Sequence, residues 1–178
     1  MTALPPVGTE IPCSVLAVDT PLAIGDKLVS VDFRGGWRHR VDVAPEDPEN
    51  SVRLRLVGFG AAADFRGPDD AEARGGVVIE QGGADLDPGS VLRLTQEMPP
   101  AYECTLVMGA CVVTIHQPGS EPLVLSNKGS FTLVTQLTQY PPRGDMFQLR
   151  KPVDFVDPAA PDTVVATIGR FPVEVGGV

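Results

Sequence analysis

The sequence predicts a single all-β domain of 178 residues, a mainly antiparallel β-sandwich or flattened β-barrel of about ten strands with no substantial helix. Three observations carry that expectation. Alternating apolar and polar positions recur along almost the whole chain, the period of a half-buried strand. Glycine (19) and proline (18) together punctuate these stretches every few residues without a collagen-like period. The hydrophobic content of 43% is high enough to build a core of this size, which excludes wholesale disorder.

Taken in order, the first candidate strands are Ile11–Val18, Leu28–Phe33, Trp37–Val43, Val52–Phe59, Val77–Gln81 and Val91–Met98. Between the second and third, the alternation favours a hairpin with a three-residue loop, Arg34-Gly35-Gly36. That register sets Phe33 opposite Trp37 and Val31 opposite His39, with Asp32 and Arg38 paired on the wet face, whereas a two-residue turn would oppose apolar to charged side chains. Residues 60–76 read as a long acidic loop, and Pro68–Arg74 inside it is the one helix-compatible piece. Tyr102–His116 reads as one long strand with a bulge at Gly109, which places Tyr102, Cys104, Leu106, Met108, Cys111, Val113 and Ile115 on a single face. Pro122–Ser126, Ser130–Thr138, Met146–Phe155 and Thr163–Phe171 follow. Pro152 interrupts the third of these, which makes it an edge, two short strands or a strand that changes sheets. The Pro-rich segment 157–161 is a linker into the last strand.

Charge and motifs exclude several functions. A formal charge of −9 argues against nucleic acid and against an anionic membrane as partners, and no apolar run approaches the roughly 20 residues of a membrane helix. The opening MTALPPVGTEIPCSV lacks the basic and apolar regions of an export signal. Three cysteines, an odd number without metal-ligand spacing, then point to reduced, buried thiols in a cytoplasm. With only His39 and His116 available, no metal and no cofactor are expected. There is no G-x-S-x-G nucleophile, no phosphate-cradling glycine loop before a helix, and no carboxylate pair that reads as more than solvated strand faces. Arg38, Arg40, Arg53 and Arg55 read as outer-face residues paired with acids.

What remains is the interior, where Trp37, His39, Tyr102, Met108 and Phe33 are the candidate ligand-binding residues: stacking surface, one titratable group and one hydroxyl. The expected function is a cytoplasmic bacterial module that binds an apolar small molecule, with a cofactor-free cyclase or isomerase of specialised metabolism as its enzymatic form. Such catalysis needs only shape, desolvation and one or two polar groups, so the residues leave enzyme and binding module both open. The rival expectation is a structural or interaction protein with a filled core, assembling with further copies of itself through sheet edges or an apolar patch.

Two stretches, Ser51–Phe59 with the following strand-loop-strand to Leu86-Asp-Pro-Gly-Ser90, and Leu125–Gly144 with its Tyr-Pro-Pro-Arg-Gly turn, resemble an uncharacterised family of small actinobacterial all-β proteins. The resemblance spans the middle and later thirds of the chain. It implies an all-β fold in a bacterial cytoplasm and brings no activity or site residues with it.

Overall fold

The computed structural model describes residues 4–65, 75–86 and 88–177. Thirteen strands are present and, among the described residues, no helix. Three long strands come first: β1 (Glu10–Ile24), β2 (Lys27–Val43) and β3 (Ser51–Asp64). Ten shorter ones follow: β4 (Gly76–Gln81), β5 (Val91–Gln96), β6 (Ala101–Met108), β7 (Cys111–His116), β8 (Leu123–Lys128), β9 (Phe131–Leu137), β10 (Arg143–Leu149), β11 (Val153–Val156), β12 (Val164–Ile168) and β13 (Val173–Gly177).

All pairings are antiparallel and belong to one sheet, with order β12-β11-β8-β7-β4-β3-β2-β1-β13-β10-β9-β6-β5 and additional contacts β12–β1 and β3–β5. Those two contacts close the sheet on itself twice, into two eight-stranded rings that share β1, β2 and β3. Ring A comprises the shared strands with β13, β10, β9, β6 and β5, and ring B the shared strands with β4, β7, β8, β11 and β12. The rings lie one after the other along the long strands. β1 pairs with β13 over Cys13–Ala17 and with β12 over Leu22–Ile24, while β3 pairs with β5 over Ser51–Arg53 and with β4 over Gly60–Asp64.

At the waist between the rings the long strands must keep apolar residues inward on both sides, and two of them do so with a bulge. In β1 the inward set changes from Ile11, Cys13, Val15 and Ala17 to Thr20 and Leu22, and the register shifts there. Asp19 carries the kink at φ 53°, a left-handed conformation that aspartate tolerates, and its N–H donates to Asp32 Oδ1 at 2.8 Å. In β3 the inward set changes from Val52, Leu54 and Leu56 to Phe59, Ala61 and Ala63, with Val57 the extra residue. β2 passes the waist without a bulge, and Phe33 of β2, Phe131 of β9 and Phe171 of the β12–β13 link meet inside it. Their ring centroids are 5.6 Å (Phe33–Phe171) and 5.2 Å (Phe131–Phe171) apart, and all three are fully buried.

Several expectations change. Among the described residues the strands number 13 rather than about ten. The hairpin loop Arg34-Gly35-Gly36 does not exist: β2 runs straight through it, with Gly35 opposite Ala61 and Gly36 opposite Gly60. The two glycines serve close approach instead. A Cβ on Gly35 would stand 1.9 Å from the Gly60 carbonyl oxygen, and one on Gly36 2.9 Å from that of Cys13. The real turn is Gly25-Asp26, joining Ile24 to Lys27. The strand Tyr102–His116 is not bulged at Gly109 but broken at Gly109-Ala110 into β6 and β7, which belong to different rings. Its assignment of faces stands, since every residue from Tyr102 to Ile115 placed inward is buried. Pro152 separates β10 from β11, again in different rings. The loop 60–76 is shorter than expected because Gly60–Asp64 belong to β3; Pro68–Arg74 lies outside the described residues. The Pro-rich segment 157–161 leads into β12, and one further strand, β13, follows.

Candidate ligand-binding site

Ring A carries the chemistry. Opposite residues of antiparallel strands share a face, so Trp37 stands against Cys13 on one side and Phe59 on the other, while His39 stands between Ile11 and Leu56. The Trp37 indole packs edge-on to His39 at 5.8 Å and to Phe147 of β10 at 5.9 Å, and tilts against Phe59 at 6.3 Å. His39 is 3% exposed, and among the described residues nothing hydrogen-bonds its ring. Burial alone pushes its pKa down to about 4, so at neutral pH it is an uncharged imidazole with one donor and one acceptor. No hydrogen bond within the described residues holds the ring, so its donor and acceptor are open to water or to a bound molecule.

Two thiols and a phenol lie nearby. Cys13 and Cys104 are buried and free, and burial raises both pKa values; a side-chain hydrogen bond with Trp37 offsets part of the effect at Cys13. Tyr140, in the β9–β10 turn, folds inward against the core, and its hydroxyl is raised by burial and then by the Cys104 and Cys13 sulfurs. These groups are uncharged at neutral pH, so ring A offers hydrogen-bonding partners and no fixed charge.

The wall of ring A is weakest at the β3 bulge. Between Arg53, which pairs with β5, and Gly60, which pairs with β4, β3 has no ladder partner on its outer side. Side chains take over that role. The Leu56 N–H donates to Asp85 Oδ2 at 2.9 Å, and the Leu56 carbonyl accepts from Gln81 Nε2 at 2.9 Å. Arg55 donates to the Asp85 carbonyl and, through Nε at 2.8 Å, to Asp42. Above these contacts lies a cleft of about 440 Å³ lined by Arg55, Leu56, Val57, Gln81 and residues 83–86. A second cleft, of about 270 Å³, opens beside Tyr102 and Leu137 near the β5–β6 and β9–β10 turns.

Of the five candidate residues, all are buried, and two come together, Trp37 and His39. Tyr102 and Met108 sit at opposite ends of β6, about 20 Å apart at 3.3 Å per residue. Met108 is opposite Phe131, and Phe33 belongs to the aromatic plug, so both serve the waist. Leu56 and Cys104 are inward positions in the sequence, whereas nothing in it singles out Cys13, Tyr140 or Asp85 for the site. Only the inward parity of the cysteines was a signal; Tyr140 looked like part of a proline turn. The arginines behave as expected of outer-face residues: Arg55 pairs with Asp42 and Arg53 with Glu46 (3.3 Å), while Arg38 lies 3.8 Å from Glu10.

Fold and interior together define a class: an all-β chain of two fused rings, an architecture compatible with holding a small molecule inside a barrel. No protein-family model matches the sequence, and no curated protein matches it either. Among solved structures the chain is similar in fold to DynF from the dynemicin biosynthesis pathway of Micromonospora chersina. The TM-score is 0.66 at 18% identity, over 99% of this chain and 84% of that one.

Proposed function

We propose that the protein takes up an apolar small molecule in ring A and serves specialised metabolism in a bacterial cytoplasm, as a binding module or as a cofactor-free cyclase or isomerase. The observation that carries this reading is His39: a buried, neutral imidazole beside the one tryptophan of the chain, with no hydrogen-bond partner among the described residues. A bound molecule offering a polar group there would give the ring a hydrogen-bond partner. The fold-level likeness to a protein of a biosynthetic pathway supports the same direction. Among the large exposed apolar residues, Leu28 follows the Gly25-Asp26 turn and Met98 lies in the β5–β6 turn, while Val57 and Leu86 share the 440 Å³ cleft.

Native mass spectrometry of protein freshly purified from an actinobacterial host tests the reading. The expected result is a monomer or dimer carrying an organic mass, and a ligand-free higher oligomer would overturn it.

A further inference from the structure

We propose that the molecule held by ring A is uncharged and presents a carbonyl or hydroxyl group to His39, and that carboxylates are discriminated against. This rests on the ligand-binding reading above and narrows it to a chemical class.

Three observations lead there. The buried polar residues among those described are Thr20, His39, Ser51, Ser90 and Thr132, so no lysine, arginine or carboxylate stands in the interior. An anion brought inside would therefore meet no countercharge, and an uncompensated buried charge is far more costly than a buried neutral dipole. The cation nearest the way in, Arg55 at the 440 Å³ cleft, already holds Asp42 at 2.8 Å and the Asp85 carbonyl. Finally, Leu56 lines that cleft and is the β3 residue opposite His39, so the bulge is a part of the wall that borders the imidazole. A neutral imidazole presents one N–H and one lone pair, which a ketone or an alcohol satisfies without any proton being moved.

A matched trio of probes tests this: 2-acetylnaphthalene, 2-ethylnaphthalene and 2-naphthoate, with one bicyclic skeleton carrying a carbonyl, no polar atom and a carboxylate. Affinities come from saturation-transfer NMR, and the histidine ring ¹⁵N shifts of the labelled protein report on the anchor. For the unmodified protein the expected order is acetyl tightest, with naphthoate at least about tenfold weaker, and acetyl binding moves the His39 ring signals. In His39→Leu the advantage of acetyl over ethyl disappears. Naphthoate binding as tightly as the ketone, or His39 signals that do not move when the ketone binds, would overturn the inference while leaving the ligand-binding reading in place. Absence of binding by all three would sink both. The comparison of probes on the unmodified protein needs no variant, so it stands even if His39→Leu folds poorly.

Discussion

Rings A and B are built on the same three strands, yet they are filled with different chemistry. Ring B is lined by aliphatic residues such as Leu22, Val31, Ile79, Val113, Ile115 and Ile168, with Phe155 the large ring among them. Its polar exceptions are Thr20, whose hydroxyl donates to the Ala17 carbonyl at 3.2 Å, and Cys111, whose thiol burial pushes up to about 12. Both are settled. Ring A gathers the buried histidine, two thiols, both tyrosines and the tryptophan. The difference teaches that closing a barrel requires few polar groups inside it, since ring B manages with a threonine and a cysteine. Their concentration in ring A therefore calls for an explanation beyond folding.

The strongest way to break the comparison is to ask whether the rings are separable at all. Phe171→Ala empties the waist they share and is expected to cost about 3–5 kcal/mol, with both rings lost in one denaturant transition. Two resolved transitions would show the rings to be independent units. Next comes acid. His39 in the unfolded chain takes up a proton near pH 6.5, while in the fold it stays neutral to about pH 4, so the unfolded state binds the extra proton between those values. Its contribution to stability is complete above pH 6.5 and declines as pH falls toward 4, by roughly 3 kcal/mol at about 1.4 kcal/mol per pK unit. Urea midpoints at pH 7 and pH 4.5 should therefore diverge less in His39→Leu than in the parent protein; equal divergence would contradict the assignment. Ring B has no counterpart to this slope among its described buried residues.

A smaller effect is expected at the bulge. Asp85→Ala removes the acceptor of the Leu56 N–H and should cost about 1–2 kcal/mol, read as faster hydrogen exchange at Leu56, while ring B amides such as Ile79 stay protected. The smallest concerns the outer face of ring A. The exposed Arg93–Glu103 pair, at 3.0 Å, should give a double-mutant coupling of no more than about 1 kcal/mol that fades in high salt.

How much of this was legible in the sequence depends on the range of the interaction. Alternation marks which side chains turn inward, and it did so even across the break at Gly109-Ala110, because both halves of that stretch bury the same parity. It says nothing about which strand closes on which. The same pattern Leu28–Val43 fits a hairpin and a single strand equally well, and what decides is the approach of Gly60 from β3, far along the chain. The site divides in the same way. Trp37 and His39 are two apart on one strand, and their meeting follows from local parity. Tyr140 reaches the thiols only through a turn whose direction no local rule fixes, and Asp85 reaches Leu56 across a sequence separation of 29.

The order in which the strands are laid down has a consequence for inheritance. After the three shared strands the chain places β4 in ring B, β5 and β6 in ring A, β7 and β8 in ring B, β9 and β10 in ring A, β11 and β12 in ring B, and β13 in ring A. Neither ring corresponds to a continuous stretch of gene. A recombination event cannot donate, delete or duplicate one ring while sparing the other, so ring A and its aliphatic companion can only be passed on together. Variation in the interior of ring A must then come from point changes on its inner face and from its turns.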